Sequence, residues 1–187
     1  TNALTIATWI KPEAVQTIGG YILAKQDSST YALFARGDSN ELYAYLNTDG
    51  GEPPLTVPFN AWQEWTFIVT TYDQIEGKVR LYLNGELAGE ADFAEQITTT
   101  TGPLQIGRRQ PDDFYYHGLI DDIRIYDRAL TQLEIARLND SDADTLPDAW
   151  ELGHFGDLLQ GPFDDPDLDG LTNYREYLGK NDPTRGA

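Results

Sequence analysis

Short runs of β-branched and aromatic residues, separated by turn residues, fill most of the first 126 positions of this 187-residue chain. The longest run is Trp65–Tyr72, and the run Lys78–Leu83 leads directly into Asn84-Gly85. This dipeptide is typical of a two-residue hairpin, because both residues tolerate a positive φ. No helical periodicity separates these runs. The pattern therefore predicts an all-β fold, an antiparallel β-sandwich.

The density of negative charge rises sharply near Leu138. Residues 1–138 and residues 139–187 each carry a net charge of −9, although the second segment is far shorter. Just before this change, Thr131-Gln-Leu-Glu134 matches a capping box, which predicts the start of a short helix. We therefore expect a β-sandwich domain over residues 1–138 and a separate acidic unit over residues 139–187.

The overall charge of −18 excludes several classes of partner. An acidic surface repels the phosphates of nucleic acids and anionic membranes, whereas it suits cationic ligands. No apolar run reaches the ~18 residues needed for membrane insertion. The chain has no cysteine and only two histidines, which excludes disulfides and Cys- or His-rich zinc sites. It also lacks methionine, and we expect a mature or excised piece of a secreted or cell-surface protein whose signal peptide is gone.

Several segments of the first 138 residues resemble the laminin G-like domain, which is a concanavalin A-like jelly roll. The segments are Trp65–Asp73, Val79–Gly85, Gly102–Gly107 and Gly118–Leu130, the last followed by the predicted helix. Their order and spacing match that family, which includes lectins and glucanases. The resemblance implies a jelly roll of two antiparallel sheets.

The resemblance also implies one departure at the start of the chain. The family normally has another strand before the one that Leu4–Ile10 matches, and it lies beside the last strand, here Leu119–Tyr126. Its absence would leave unpaired backbone groups next to an apolar face, which is a template for another chain. We expect a second copy, as in a homo-polymer, or a partner to fill this gap. A cleaved segment that stays bound, or a strand outside these 187 residues, are the alternatives.

The acidic unit contains two twelve-residue segments that match calcium loops of the EF-hand type. Such loops supply side-chain oxygens from positions 1, 3, 5, 9 and 12 and a backbone carbonyl from position 7. In residues 165–176 the ligands would be Asp165, Asp167, Asp169, the Leu171 carbonyl, Asn173 and Glu176. In residues 140–151 they would be Asp140, Asp142, Asp144, the Leu146 carbonyl, Asp148 and Glu151.

The two loops differ at the sixth position, where the chain turns sharply. Gly170 is the usual residue there, whereas the first loop has Thr145. A solvated acidic linker is the simpler interpretation of such a segment, but two matches to the same pattern favour Ca²⁺. Each loop runs into a predicted short helix, Pro147–Leu159 and Thr172–Leu178. Because the carboxylates repel each other without metal, we expect this unit to order when metal binds.

The acidic unit resembles the thrombospondin type 3-like calcium repeats of secreted bacterial proteins. The residues that carry the resemblance are Asp140–Glu151 in the first loop and Asp165–Tyr177 in the second. Dockerin modules, which also pair such loops, are an alternative. A small aromatic core is expected from Trp150, Phe155, Phe163, Tyr174 and Tyr177.

No catalytic constellation is evident in the sequence. Glucanases on a jelly roll carry paired carboxylates on one strand, flanking the glycosidic bond. Asp121 and Asp122 are adjacent and should face opposite sides of a sheet, and Asp122 with Arg124 suggests a structural ion pair. His117 has no nucleophile near it in sequence. We therefore predict that the chain is not an enzyme.

Exposed aromatic residues are the remaining candidates for ligand binding, because sugars stack on aromatic rings. The candidates are Trp62, Tyr43, Tyr45, Phe114, Tyr115 and Tyr116. Packing in the core or at its rim is the simpler interpretation of most of them. The sequence also leaves open a further calcium site in the sandwich loops, for which the acids are Asp27, Asp38, Asp112 and Asp113.

Two functions of different classes remain. The first is a non-catalytic, extracellular module for recognition or adhesion that binds calcium and a glycan or protein ligand. The second is a calcium-stabilised structural subunit of a surface fibre or scaffold, assembled by strand complementation between molecules.

Overall fold

The structure is a computed structural model, and it describes residues 2–13, 19–25, 30–46, 54–98, 100–109 and 114–186. The chain divides into two compact units, Thr1–Leu130 and Thr131–Ala187. The described strands lie in the first unit and the described helices in the second. The capping-box helix therefore belongs to the same unit as the acidic loops.

Two antiparallel sheets form the first unit. The strands are β1 (Ala3–Pro12), β2 (Gly20–Lys25), β3 (Tyr31–Arg36), β4 (Glu41–Leu46), β5 (Leu55–Pro58), β6 (Thr66–Asp73), β7 (Lys78–Leu83), β8 (Glu86–Asp92), β9 (Leu104–Ile106) and β10 (Gly118–Tyr126). Over the described ranges the sheets have five strands each, in the orders β10-β1-β6-β7-β8 and β5-β4-β3-β2-β9. The predicted all-β antiparallel sandwich of the jelly-roll type is confirmed.

The core lies between the sheets and is built from alternate residues of each strand. In β4, Leu42, Ala44 and Leu46 are buried, while Tyr43 and Tyr45 are half-buried on the opposite face. β6 is buried along nearly its whole length, because it lies in the middle of its sheet between β1 and β7. Each large aliphatic side chain buried in this way contributes about 1.5–3 kcal/mol.

The Asn84-Gly85 turn joins β7 and β8 as predicted. Asn84 has a φ of 49° and Gly85 a φ of 79°, as a two-residue hairpin turn requires. The Asn84 side-chain oxygen also accepts a hydrogen bond from the N–H of Phe67 at 2.8 Å. The turn therefore sets the register of β8 against β7 and ties the hairpin to β6.

One long side of the sandwich is closed by β5 and β8. Gly89 of β8 lies so close to β5 that an added Cβ would be 2.6 Å from Val57 Cγ1. Only a residue without a side chain fits this approach. The sequence pattern did not predict β5, since the strand has four residues and ends in proline.

The opposite side of the sandwich is bordered by β9 and β10. Within the described residues, β9 pairs with β2 alone and β10 with β1 alone. In the β1–β10 pair, Ile6 lies opposite Ile125 and Ile10 opposite Ile120. One edge of β10, the last strand, is thus paired with β1 of the same chain. The expectation of an added strand therefore applies to the other edge of β10.

Apolar side chains that face the space between the sheets are exposed on this side. Ile106 is paired with Leu23, and Ile125 with Ile6; both partners are core residues. Nevertheless Ile106 is 53 % and Ile125 41 % exposed. We call this margin the open side and define it by its inward-facing residues, Leu104, Ile106, Ile120, Ile123 and Ile125.

Helices α1 (Gln132–Leu138), α2 (Asp148–His154) and α3 (Asn173–Gly179) belong to the second unit. The capping box of α1 is present: Thr131 N–H donates to Glu134 Oε2 at 2.9 Å, and Glu134 N–H donates to Thr131 Oγ1 at 3.4 Å. α2 ends earlier than predicted, and Gly156, with a φ of 81°, lies just past its end. No helix in the described part of the chain has the length and apolar character needed to cross a membrane.

The aromatic core of the second unit is smaller than predicted. Trp150 contacts Phe155 and Tyr177, with ring centroids 5.7 Å and 5.9 Å apart. Phe163 is 85 % and Tyr174 40 % exposed, so the expectation that they are buried is wrong. Phe163 lies between α2 and α3, outside any helix, and Tyr174 lies in the first turn of α3.

Candidate metal centre and binding surface

The two acidic loops share one pattern of hydrogen bonds. In the first loop the N–H at position 5 donates to Asp140 Oδ1 at 3.2 Å, and the N–H at position 7 donates to Asp144 Oδ1 at 2.8 Å. The second loop repeats both bonds at the same distances with Asp165 and Asp169. The carboxylates at positions 1 and 5 therefore hold the backbone of each loop in its curved conformation.

The same pattern continues to the start of each helix. The N–H of Asp148 donates to the carbonyl of Asn139 at 2.9 Å, and the N–H of Asn173 donates to the carbonyl of Asp164 at 2.8 Å. These bonds close each loop onto the first residue of the helix that follows it. The helices thereby hold the residues at positions 9 and 12 against the loop.

Backbone conformation at the turn is also the same in both loops. Thr145 has a φ of 90° and Gly170 a φ of 94°, while Ala143 and Leu168 at position 4 have values of 61° and 62°. The departure at Thr145 therefore leaves the turn geometry unchanged. Holding a β-branched residue at positive φ costs about 1–3 kcal/mol.

The carboxylates of the loops converge on common points. Three sets of carboxylates have oxygens within 4.8 Å of one another, namely Asp140 with Asp142 and Asp148, Asp142 with Asp144 and Glu151, and Asp165 with Asp167 and Asp169. Like charges at such separations repel unless a cation or protons compensate them. Desolvation raises the pKa of Asp144, and the neighbouring aspartates add to this shift.

The glutamates at position 12 are buried without partners. Glu151 is 0 % and Glu176 1 % exposed, and neither carboxylate has a hydrogen-bond partner among the residues that the structure describes. Burial raises the pKa of Glu151 to about 8 and also raises the pKa of Glu176, with the loop aspartates contributing in both cases. An unpaired buried carboxylate is costly, so both side chains fit a role as ligands of a cation.

Position 9 differs chemically between the loops. Asp148 is buried and accepts a hydrogen bond from the N–H of Ser141 at 2.7 Å. Asn173 is fully buried and donates its side-chain N–H to the Gly161 carbonyl at 2.9 Å. Its Oδ1 has no partner within the described ranges. Asn173 is thus oriented to offer an oxygen to the loop.

The resulting donor set contains only oxygen. Each loop brings five side chains and the backbone carbonyl at position 7, from Leu146 or Leu171. Six or more oxygens suit a hard divalent cation with flexible geometry, whereas zinc favours nitrogen and sulfur. The carboxylates of the three sets above are therefore brought together, and the oxygen-only donor set of each loop fits Ca²⁺.

A row of aromatic rings crosses the outer face of the β5-β4-β3-β2-β9 sheet. Tyr43 lies opposite Phe34, and Phe34 lies opposite Tyr21. Around Phe34, ring centroids lie at 5.8 Å for Tyr43, 6.3 Å for Tyr45 and 6.2 Å for Phe114. We call these five residues the aromatic face.

Three of the six nominated aromatic residues thus meet on one surface. Tyr21 and Phe34 were missed, because they are buried and belong to strands that the sequence does not show to be neighbours. Phe114 reaches the face because its carbonyl accepts a hydrogen bond from the N–H of Tyr21 at 3.3 Å. The guanidinium carbon of Arg109 lies 4.7 Å from the centre of the Tyr21 ring.

The rings of the other three nominated residues do not belong to the aromatic face. Tyr116 is 9 % exposed and packs in the main core, so its ring is not a surface for a ligand. Trp62 packs edge-on against Phe59, with centroids 5.2 Å apart, and its indole N–H donates to Asn40 Oδ1 at 3.1 Å. Tyr115 is 47 % exposed and forms a bridge with Tyr21.

The sequence of residues 1–136 matches the laminin G-type family model described as the concanavalin A-like lectin/glucanases superfamily. The chain belongs to this superfamily. The laminin G-like resemblance is thereby confirmed for the sandwich, and the match reaches into α1. No protein with a curated description matches this chain in sequence.

Several solved structures share the sandwich fold of this chain. A protein from Bacteroides ovatus, named as a candidate carbohydrate-binding protein, is 18 % identical with a TM-score of 0.62 over 73 % of this chain and 40 % of its own. The receptor-binding domain of botulinum neurotoxin type G is 17 % identical with a TM-score of 0.63 over 80 % and 40 %. A heptameric SAP-like pentraxin from Limulus polyphemus is 20 % identical with a TM-score of 0.58 over 73 % and 69 %. These identities show the fold alone, and the chain spans two fifths of the first two proteins.

The carboxylates considered for a glucanase-type reaction in this superfamily member are engaged locally. Asp122 lies at a bulge in β10 with a φ of 46°, and Arg124 Nε donates to its Oδ1 at 3.0 Å. Asp121 Oδ1 accepts a hydrogen bond from the N–H of Asp122 at 2.8 Å. The predicted ion pair is present, and His117 is exposed.

Of the four acids considered for a further calcium in the sandwich, the structure describes Asp38 alone. Asp27, Asp112 and Asp113 lie outside the described residues. Asp38 is exposed and accepts a hydrogen bond from Arg36 Nε at 2.6 Å, which lowers the pKa of its carboxyl. The side chain of Asp38 is thus committed to a surface ion pair.

Proposed function

We propose that the chain is a non-catalytic, extracellular recognition module that binds Ca²⁺ in its acidic loops and a glycan on the outer face of its sandwich. The main support for the proposed glycan binding is the convergence of Tyr43, Tyr45 and Phe114 around Phe34. Similar folds in proteins named for carbohydrate binding and for receptor binding support this proposal.

A glycan suits the aromatic face because apolar rings and polar groups lie side by side there. The rings of Tyr43 and Tyr45 are half-buried and nearly parallel, 5.9 Å apart at an angle of 13°. Such rings are held in place before binding, which keeps the entropy cost low. The Tyr43 hydroxyl donates to Glu41 Oε2 at 2.6 Å and lies 3.2 Å from Ser39 Oγ. Sugar hydroxyls can exchange hydrogen bonds with this cluster while their C–H faces cover the rings.

A glycan array followed by calorimetry tests this assignment. Tyr43→Ala combined with Tyr45→Ala should abolish binding of a glycan selected on the array without unfolding the sandwich, because neither ring belongs to the main core. The matched comparison is Trp62→Ala, which removes an aromatic ring away from the aromatic face and should leave binding intact. Binding that survives the double substitution would overturn the site, and an array without any glycan ligand would leave protein ligands as the recognised class.

Calcium is proposed as the resident cation of both acidic loops. The support is the pair of buried, unpartnered glutamates at position 12 and the donor set made only of oxygen. Bound Ca²⁺ would supply the positive charge that the clustered carboxylates require, so the metal stabilises the second unit. Calorimetry of the chelator-treated chain should show two Ca²⁺ sites, and the absence of binding would overturn the proposal.

We propose an extracellular location on the basis of the same chemistry. Calcium loops of extracellular modules bind in the 10⁻⁴–10⁻³ M range, about the concentration found outside cells. The proposed kinship with thrombospondin type 3-like repeats of secreted bacterial proteins rests on the loop sequences Asp140–Glu151 and Asp165–Glu176. The chain is free of cysteine, so its stability outside the cell would depend on the metal and not on disulfides.

The open side favours a second candidate function, a structural subunit assembled from copies of this chain. Ile106 and Ile125 face the space between the sheets yet remain 53 % and 41 % exposed. A strand from a second copy, added beside β10, would cover them and pair the edge of β10 that no described strand pairs. Sedimentation velocity should then show association that Ile106→Lys prevents. Leu87→Lys, at a 51 % exposed position on the closed side, is the matched control, and a monomer at all concentrations would exclude assembly.

A further inference from the structure

A cavity of about 330 Å³, wide open to solvent, lies in the second unit and involves none of the oxygen donors proposed for the metal. It is bordered by residues of α2, of α3 and of the segment that follows α3. These residues are Trp150, His154, Tyr177, Lys180, Asn181 and Asp182. The volume is at the lower end of the range for ligand pockets, which is about 300–1,000 Å³.

Two aromatic side chains form the walls of this cavity. The rings of Trp150 and Tyr177 meet at 69° with their centroids 5.9 Å apart, so they make a corner. His154 lies one helical turn after Trp150, and its ring centroid is 5.0 Å from that of the indole. A flat or chair-shaped ring can therefore stack on one wall while its edge meets the other.

The rim of the cavity carries groups of both charges and an amide. Asp182 is fixed in place because its Oδ1 accepts hydrogen bonds from the N–H of Thr184 at 3.1 Å and from its hydroxyl at 2.6 Å. These bonds lower the pKa of Asp182, so the carboxylate is charged. His154 Nδ1 lies 3.6 Å from the same carboxylate. Lys180, in a left-handed conformation at the end of α3, begins the turn that leads to Asn181.

We propose that this cavity binds one pyranose ring of a saccharide, at a site separate from the aromatic face. A cationic ligand would meet Lys180 and also Arg185, whose Nε lies 3.6 Å from Asp182 Oδ2. An anionic ligand would meet Asp182 in a segment of net charge −9. A neutral ring with hydroxyl groups matches aromatic walls combined with donors and acceptors at the rim.

The walls of the cavity are attached directly to the proposed metal loops. Trp150 precedes Glu151 and Tyr177 follows Glu176, so each wall neighbours the position-12 glutamate of one loop. The N–H of Asn181 donates to the Glu176 carbonyl at 2.9 Å, which ties the rim to the second loop as well. The shape of the cavity therefore depends on both loops, and in this respect the inference rests on the proposed calcium sites.

Two-dimensional NMR of the whole chain in calcium tests this site. The indole N–H signal of Trp150, assigned with Trp150→Phe, is followed during titration with the methyl glycosides of glucose, galactose and mannose and with N-acetylglucosamine. At least one sugar should shift this signal saturably. The shift should persist in the Tyr43→Ala and Tyr45→Ala double variant, which separates this cavity from the aromatic face.

A second variant shows whether the polar rim takes part. Lys180→Ala combined with Asn181→Ala keeps the backbone bond of Asn181 to Glu176 and should abolish the sugar-dependent shift. The folded state of this variant is verified from its calcium-dependent circular dichroism. Three outcomes would overturn the assignment. The first is a sugar-dependent shift that survives in the Lys180→Ala and Asn181→Ala double variant. The others are a shift caused by tetramethylammonium in place of sugars and the lack of a shift with all four sugars. A sugar response that persists after chelation would overturn the role of the metal loops.

Discussion

Thr145 and Gly170 occupy the same place in two successive loops and share the same left-handed backbone conformation, with φ of 90° and 94°. The glycine adopts it without strain, whereas the β-branched threonine does not. The loop hydrogen bonds around both residues are alike, with Asp140 Oδ2 accepting from Thr145 at 3.3 Å and Asp165 Oδ2 from Gly170 at 3.0 Å. The fold of the first loop thus imposes a conformation that its residue disfavours.

Thr145→Gly should strengthen the first loop. Removing the side chain relieves about 1–3 kcal/mol of backbone strain, so the Ca²⁺ affinity of this loop should rise and the calcium-bound form should melt at a higher temperature. Calorimetry and thermal unfolding in calcium measure both effects. The reciprocal change, Gly170→Thr, should weaken the second loop by a similar amount, and equal behaviour of both variants would show that the turn is not strained.

Glu176→Gln should have opposite effects with and without metal. The neutral amide keeps the shape of a buried side chain and removes one charge from beside three aspartates, so the metal-free chain should become no less stable. With calcium, the loss of a charged ligand should remove one of two binding sites and lower the stabilisation by metal. Thermal unfolding in chelator and in calcium measures the two effects, with Asp157→Asn as a control outside the loops. A loss of stability of equal size in both conditions would mean that Glu176 is purely structural.

Gly20→Ala should destabilise the sandwich. A Cβ at this residue would lie 2.5 Å from the Tyr115 carbonyl oxygen and 2.6 Å from Tyr116 Cα, both of which are backbone atoms. Overpacking of this kind costs about 1–3 kcal/mol. Gly153→Ala is the matched control, because open space surrounds that position in α2 and the substitution should stabilise the helix by about 0.5–1 kcal/mol. Chemical denaturation in calcium measures both, and similar effects would contradict the contact.

Thr5→Val should also destabilise the sandwich, through a lost pair of hydrogen bonds. The buried Thr5 hydroxyl donates to the Arg128 carbonyl at 2.8 Å and accepts from the N–H of Leu130 at 2.9 Å. Valine has the same shape but leaves buried backbone groups without these bonds, at a cost of about 1–3 kcal/mol. Thr56→Val, at an exposed position of β5, should be neutral in the same denaturation assay. A neutral Thr5→Val would show that water replaces the hydroxyl.

The local features of the fold could be predicted from the sequence. Asn84-Gly85 predicted a hairpin, because few pairs of residues tolerate two adjacent positive φ values. Thr131 with Glu134 predicted the start of a helix. The spacing of oxygen-bearing residues likewise predicted that the aspartates of each acidic loop lie near one another, since they fall within twelve residues.

Features made by distant segments could not be predicted in the same way. The aromatic face joins Tyr21, Phe34 and Phe114, which only the pairing of β2 with β3 and the return of the chain after β9 bring together. The exposure of Phe163 and the short strand β5 could not be predicted either, because neither produces a periodic pattern in the sequence. The alternation in β4 did reveal that Tyr43 and Tyr45 share a face, but not what lies beside them.

The difference between the two long sides of the sandwich has a consequence for its motion. Close contact of Gly89 with Val57 links the sheets at β5 and β8, whereas side chains between β9 and β10 are partly in contact with water. Fluctuations that separate the sheets cost least where few apolar contacts must be broken. Amide protons of β9 and β10 should therefore exchange with solvent before those of β5 and β8, which are also edge strands but lie on the closed side.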